Sequence, residues 1–134
     1  MDISALLTNV LSSLDVQFIG IKFKSNIIEK EFHDDKFYII GNDYEDEIGV
    51  KKEDFSVYSL SKQNYIFMNS SFKQLIECIK TFTNILDFDE DYDDDIRQEE
   101  IKEIVEKFNT IDNQCLKNGA WWTYIIEQSQ EGIL

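Results

Sequence analysis

The stretch that decides the fold is "VYSLSKQNYIFMNSSFKQLIECI", residues 57–79. Its first half has a period of two and is rich in β-branched and aromatic residues, which predicts two short strands separated by the turn "SKQN". From "MNSS" onward the period becomes that of a helix. Ser70 or Ser71 is the expected N-cap, and Ser71 with Gln74 forms an S-x-x-Q capping box. The predicted apolar face comprises Phe72, Leu75, Ile76, Ile79, Phe82 and Leu86.

Upstream of this stretch the sequence predicts further strands and one helix. The segments "KFYIIGND" and "EIGVKK" read as strands, with turns at "GNDYED" and "KKED", so that 36–68 predict an antiparallel meander. The segment "VQFIGIKFK" predicts an earlier strand, which Gly20 weakens. An N-terminal helix is predicted from one apolar stripe, which comprises Ile3, Leu6, Leu7, Val10, Leu11 and Leu14.

Downstream, "IRQEEIKEIVEKF" and "AWWTYIIEQSQEGIL" predict two more helices, separated by a loop at "TIDNQCLKNG". The order of helix, strands and then helices indicates an α+β domain. We therefore expect a central, mostly antiparallel sheet flanked by an N-terminal helix and C-terminal helices. With 134 residues, the chain is expected to form a single domain, 1–134.

Charge narrows the classes of partner. The net charge is −14, and residues 87–107 contribute eleven acids and three bases, a net of −8. Such a surface repels nucleic acid and anionic membranes and attracts basic partners. The N-terminal residues show neither a basic region nor a long apolar run, so we predict no signal peptide, no membrane span and a cytoplasmic location.

The acidic loop at 87–95, "DFDEDYDDD", has seven acids in nine residues and permits several interpretations. One is an EF-hand calcium loop beginning at Asp89. Position 6 of that loop would be Asp94 in place of the required glycine, which weakens the match. The remaining matched positions are Asp91, Asp93, Ile96 and Glu100.

Three other interpretations of the acidic loop stay open. It is a solvated loop that keeps the protein soluble, a lure for a basic partner, or an imitation of nucleic acid. Mimicry of DNA requires carboxylates spaced like phosphates along an extended surface. Here the charge is concentrated in one loop and the following helix, which makes the expected footprint local.

Catalytic chemistry finds little support in the sequence. His33 is the only histidine, and it lies in the polar stretch "EKEFHDDKF", where an exposed turn residue is expected. The sequence contains no GxSxG, HExxH, P-loop or GxGxxG motif. Cys78 and Cys115 belong to no CxxC pair, and we expect them to be reduced and structural. We predict no catalytic residue, no cofactor and no metal ligand.

The adjacent Trp121 and Trp122 point about 100° apart on a helix, so at least one is expected to be only partly buried. A core anchor beside a groove-lining residue is one interpretation. The other is an interface hot spot, in which tryptophan is enriched, and Trp121 is the candidate.

Three stretches together resemble the SUKH superfamily, and within it the immunity-protein branches. "FYIIGNDYEDEIGV" is similar to the family's strand–turn–strand. "VYSLSKQNYIFMNSSFKQLIECI" is similar to its strand pair, Asn-Ser-Ser cap and amphipathic helix, and "WWTYIIEQSQEGIL" to its C-terminal helix. The resemblance covers 37–82 and 120–134, and it is carried by the order of these motifs.

The resemblance implies an α+β fold and a non-enzymatic cytoplasmic protein that neutralises a cognate toxin by binding it. Such toxins are often nucleases or deaminases, which suits a basic partner for this acidic chain. A calcium-responsive acidic module and a DNA-mimic inhibitor remain the alternatives. The predicted partner-binding residues are Phe88, Asp89, Asp91, Tyr92, Asp93, Asp95, Glu99, Glu103 and Trp121.

Overall fold

The computed structural model describes residues 20–62, 64–86 and 94–131, without the side chains of Ser25 and Asn26. The chain divides into two compact units, Met1–Ile66 and Phe67–Leu134. The fold is α+β, as predicted. The predicted N-terminal helix lies outside the described residues, as do most of the acidic loop and the end of the last helix.

Five strands form a sheet within the described residues. They are β1 (Ile21–Phe32), β2 (Asp35–Asp43), β3 (Asp46–Lys51), β4 (Val57–Leu60) and β5 (Tyr65–Asn69), and their order in the sheet follows the chain. The pairs β1–β2, β2–β3 and β3–β4 are antiparallel, which confirms the meander predicted for 36–68 over β2, β3 and β4. The boundary between the two units falls within β5.

Strand β1 is much longer than predicted, because it continues through the polar stretch up to Phe32. It is the first of the described strands in the sheet order, and its polar part pairs with β2 from Ile28–Ile39 to Phe32–Asp35. His33 and Asp34 form the β1–β2 turn with φ of 50° and 67°. His33 is exposed there, as the sequence predicts.

The close approach of the β1 and β2 backbones explains why position 41 is a glycine. The register shifts between Phe23 and Ile28 on β1 and between Ile39 and Gly41 on β2. A Cβ atom placed on Gly41 would lie 2.4 Å from the carbonyl oxygen of Lys22. Only glycine therefore fits where the two backbones meet.

The first unit has a small apolar cluster on the sheet. Phe37, Ile39 and Leu60 are buried, and Tyr58 and Tyr65 pack against them. The rings of Tyr58 and Tyr65 meet edge to face, with centroids 5.2 Å apart. This is the geometry that aromatic pairs favour, since the positive ring edge then faces the negative ring face.

The second unit contains three helices: α1 (Phe72–Ile85), α2 (Asp94–Ile111) and α3 (Trp121–Gln130). All six residues of the face predicted for α1 are buried. Ser71 caps α1, since its hydroxyl accepts from the Gln74 N–H. In a capping box the Gln74 side chain would accept from the Ser71 backbone N–H, but here its oxygen accepts from the Ser71 hydroxyl. The Gln74 side-chain amide donates to the Ile111 carbonyl at 3.0 Å.

Trp122 is the centre of the helical core. It is fully buried, and its ring lies 5.9 Å from Phe82 of α1 and 4.8 Å from Phe108 of α2, measured between centroids. The Gln98 side-chain amide also donates to the Gln130 carbonyl at 2.9 Å, which ties α2 to the end of α3. The three helices therefore share one core inside the second unit.

Candidate functional site: the acidic face of helix α2

Helix α2 forms because its apolar residues recur at helical spacing. Ile101, Ile104 and Phe108 are buried along one side. Asp94 and Asp95 lie in the first turn, where carboxylates interact favourably with the positive end of the helix dipole. The burial of the apolar side leaves the opposite side of α2 to the solvent, and that side carries most of its acids.

The acidic face of α2 is defined here as Asp95, Ile96, Glu99, Glu100 and Glu103. These residues line a shallow depression of about 400 Å³. At 100° per residue they fall within an arc of about 140° on the helix. Ile96 is 52% exposed, so a large apolar side chain lies among four carboxylates. Such a surface offers a charged field and an apolar contact in one place.

Part of this charge is neutralised locally. The Lys107 ammonium lies 3.6 Å from the Glu103 carboxylate, one helical turn away, and both side chains are more than half exposed. An exposed pair of this kind is worth only about 0.3–0.5 kcal/mol. A basic partner can therefore replace Lys107 at little cost.

The structure brings together three of the predicted site residues. Asp95, Glu99 and Glu103 follow one another at four-residue intervals and line the same depression. The other members of the predicted acidic site, Phe88, Asp89, Asp91, Tyr92 and Asp93, lie outside the described residues.

Trp121 is placed differently from the expectation. It is 6% exposed and Trp122 is 0% exposed, so the prediction that one indole is only partly buried is wrong. The two rings pack edge to face with centroids 4.8 Å apart. Trp121 begins α3 after the turn that ends at Ala120, and this position turns its ring inward with that of Trp122. It lies on a different helix from the acidic face.

The calcium loop does not fit the described half of its sequence. Loop positions 6 to 12 would be Asp94 to Glu100, and all of them lie in α2. An EF-hand requires a sharp turn at position 6 and an inward-facing carbonyl at position 7. In a helix the carbonyl at position 7 points along the helix axis toward the N–H four residues later. Within the described residues no cluster of three potential metal ligands occurs.

The sequence prediction missed the role of Ile96. It was considered only as the apolar position of a calcium loop, whereas the structure places it among the residues that line the acidic face. A signal was available, because Ile96 lies off the helical stripe formed by Ile101, Ile104 and Phe108. An apolar residue on the polar side of an amphipathic helix is an expected contact residue.

The first unit has its own concave surface, a groove of about 730 Å³ on the sheet. The Lys30 ammonium lies 2.7 Å from the Glu47 carboxylate in this groove. The remaining lining residues are Phe32, Asn42, Glu45, Asp46, Leu60, Ser61 and Lys62. Its charges are of both signs and partly paired, so it selects no charge class of partner.

Among the helices that the structure describes, none is long and apolar enough to cross a membrane.

Comparison with known proteins identifies the family. Searches of curated proteins and of solved structures gave no match. The family model for the SUKH-4 immunity protein matches residues 29–128, which is 100 of the 134 residues. The chain therefore belongs to the SUKH-4 immunity protein family.

Proposed function

We propose that this protein neutralises a cognate toxin by binding a basic surface of the toxin with the acidic face of α2. The observation that carries the proposal is the position of half-exposed Ile96 among Asp95, Glu99, Glu100 and Glu103. Interfaces gain affinity from an apolar residue that becomes fully buried, and gain association rate from charges around it. The face has both components.

A nuclease or deaminase toxin is the partner class that we favour. Such enzymes bind a polyanion and need a positive groove for it. Asp95, Glu99 and Glu103 are separated by four residues each, so they present one carboxylate about every 6 Å along roughly 12 Å of helix. A row of this length can occupy a positive groove and exclude the nucleic acid substrate.

We extend the interface to the residues before α2. Phe88 and Tyr92 would add contact area, and Asp89, Asp91 and Asp93 would add charge directly before Asp94 in the sequence. We infer no contact for Trp121, because its ring is buried, and assign it to the packing of α3.

We also propose that residues 1–134 act as one cytoplasmic domain without enzymatic activity. The family match supports a single domain, since it runs from residue 29 in the first unit to residue 128 in the second. The absence of a recognisable catalytic motif in the sequence agrees with a protein that acts by binding.

The test compares two triple variants of equal charge. One combines Asp95→Asn, Glu99→Gln and Glu103→Gln on the acidic face. The control combines Glu77→Gln, Glu127→Gln and Glu131→Gln, three exposed acids outside that face. Association is measured by surface plasmon resonance against the C-terminal domain of the toxin encoded immediately upstream, across a range of salt concentrations.

We expect the acidic-face variant to associate at least about tenfold more slowly and with a weaker salt dependence, because steering by charge raises association rates. The control should lose much less. Equal rates for the two variants would show that the acidic face is not the interface. Absence of any binding by the wild-type chain would contradict the proposed partner.

A further inference from the structure

Asn118 and Gly119 are the two central residues of an exposed turn that leads into α3. The Ala120 N–H donates to the Lys117 carbonyl at 3.1 Å, which closes the turn around them. Gly119 has a φ of +82°, as the third residue of a type II turn requires. Both residues are exposed, and a Cβ placed on Gly119 would meet no atom of a non-neighbouring residue within 4 Å. The turn therefore leaves open space at Gly119.

The flanks of this turn are held, but its two central residues are not. The Lys117 carbonyl also accepts from the Thr123 hydroxyl at 2.8 Å, and the Lys117 ammonium lies 4.0 Å from the centroid of the Phe67 ring. Neither the side-chain amide of Asn118 nor the Gly119 N–H has a hydrogen-bond partner among the residues that the structure describes. Water therefore reaches both groups.

We propose that Asn118 is a spontaneous deamidation site. It is the only asparagine that a glycine follows in the sequence, so no side chain on the next residue hinders the reaction. A hydroxide ion takes the proton of the Gly119 N–H, and the nitrogen attacks the side-chain carbonyl carbon of Asn118. The bond from that carbon to the amide nitrogen breaks. The released nitrogen takes a proton from water and leaves as ammonia, which returns the hydroxide and leaves a five-membered succinimide ring.

Water then opens the ring at one of its two carbonyl carbons. Attack at the side-chain carbon breaks its bond to the Gly119 nitrogen and gives aspartate in a normal chain. Attack at the main-chain carbon gives isoaspartate, in which the chain continues through the former side chain. Overall, one asparagine and one water give one aspartate or isoaspartate and one ammonia, and the chain gains one negative charge.

Asn69, in the same unit, has the opposite surroundings. It is 0% exposed, its amide donates to the Asp112 carboxylate at 3.0 Å, and its oxygen accepts from the Trp122 indole N–H at 2.8 Å. The N–H of the next residue, Ser70, donates to the same carboxylate at 2.8 Å. Both groups that would have to react are therefore bonded, and breaking even one such bond first slows the reaction about tenfold.

The two products should affect α3 differently. Ala120, the N-cap of α3, makes no side-chain hydrogen bond, and the first turn of α3 contains no acid. An aspartate at position 118 places its carboxylate near the positive end of the helix dipole, which favours a negative charge. Isoaspartate adds a methylene group to the main chain of a turn directly before Trp121 and Trp122, and should therefore loosen the start of α3.

The test incubates the full chain under native conditions in heavy-oxygen water and maps its peptides by mass spectrometry at intervals. We expect Asn118 to react first and to incorporate heavy oxygen, at a rate that rises with pH because hydroxide starts the reaction. An isoaspartate carboxyl methyltransferase should label part of the product. Asn69 should persist at least about ten times longer in the folded chain and lose this protection in guanidinium chloride.

Asn118→Gln is the control, because its longer side chain would have to form a six-membered ring, which closes much more slowly. Persistence of Asn118 in the folded chain, or earlier reaction of another asparagine, would overturn the site. Thermal unfolding tests the effect on α3: the aged wild-type chain should unfold at a lower temperature than fresh Asn118→Asp. Equal midpoints would contradict the effect assigned to isoaspartate. None of these measurements includes the toxin, so failure here is separate from failure of the proposed function.

Discussion

The side-chain amide of Asn69 donates to the carboxylate of Asp112 at 3.0 Å, and this bond joins residues 43 positions apart in the chain. Asn69 ends β5 and Asp112 follows α2 directly. The same carboxylate accepts from the Ser70 N–H at 2.8 Å, from the Ser70 hydroxyl at 2.9 Å and from the Gln114 N–H at 3.2 Å. Asp112 thus accepts from four donors, three of them just before α1 and one in the connection between α2 and α3.

Replacement of Asp112 by Asn is expected to destabilise the protein by about 2–3 kcal/mol. The new amide presents its own N–H groups to donors that Asp112 satisfies, and an unsatisfied buried donor costs about 1–3 kcal/mol. Urea unfolding followed by tryptophan fluorescence measures the change. Glu127→Gln on the exposed side of α3 is the control and should change stability by less than about 0.5 kcal/mol. Equal midpoints for the two variants would contradict the role of Asp112.

Two glycine substitutions should differ in cost because the two glycines serve different purposes. Gly41→Ala places a Cβ 2.4 Å from the Lys22 carbonyl oxygen and 3.1 Å from the Phe23 Cα, so backbone must move, at a cost of about 2–3 kcal/mol. Gly119→Ala meets no atom within 4 Å and is only strained by a φ of +82°, at a cost of about 1 kcal/mol. Urea unfolding measures the loss of stability in each variant. A larger loss for Gly119→Ala than for Gly41→Ala would contradict the close approach of β1 and β2.

The pKa of Asp54 should fall below its usual value of 3.8 in the folded protein. Burial acts to raise this pKa, but the hydrogen bonds from the Ser56 hydroxyl and N–H, together with the charge of Lys51, outweigh burial and lower it. The stabilisation from Asp54 is therefore complete above about pH 4 and is lost as the pH falls through the folded-state pKa.

Ser56→Ala removes one of these hydrogen bonds and should raise the pKa of Asp54, measured by NMR titration of its carboxyl carbon. Ser61→Ala is the matched control, because the Ser61 hydroxyl donates to the Asn64 carbonyl instead. The explanation fails if the Asp54 pKa is the same in the wild type and in Ser56→Ala.

Ile96→Ala should weaken toxin binding about tenfold through faster dissociation, since an apolar anchor contributes about 1–2 kcal/mol once it is buried in an interface. Its stability should change by less than about 0.5 kcal/mol, because Ile96 is 52% exposed. Tyr124→Ala is the matched control, because Tyr124 is 50% exposed but lies on α3. The dissociation rate of each variant from the toxin is measured by surface plasmon resonance. Equal rates for the two variants would exclude Ile96 as an anchor.

Much of the fold was predictable because apolar residues recur at the spacing of a strand or of a helix along most of its elements. The alternation in 36–68 gave the meander, and the stripe from Phe72 to Leu86 gave α1 with its Ser71 cap. The length of β1 was not predictable, since Glu29, Lys30 and Glu31 are three consecutive charged residues and break the alternation that predicts a strand. The pairing of this segment with β2, which the local pattern does not reveal, makes it a strand.

The candidate site was predictable in part. Helical spacing places Asp95, Glu99 and Glu103 on one face, and the sequence alone provides that spacing. The burial of Trp121 was not predictable, because adjacent residues on a helix diverge by about 100° and only the packing of neighbouring helices decides whether both are covered.

The sequence by itself determined the period of each element, the cap of α1 and the concentration of negative charge, because these depend on residues within a few positions of one another. Only the tertiary structure decided that Asn69 bonds to Asp112 and to Trp122. Such contacts depend on how distant segments pack, and a buried donor or acceptor finds its partner only when the core brings the two segments together.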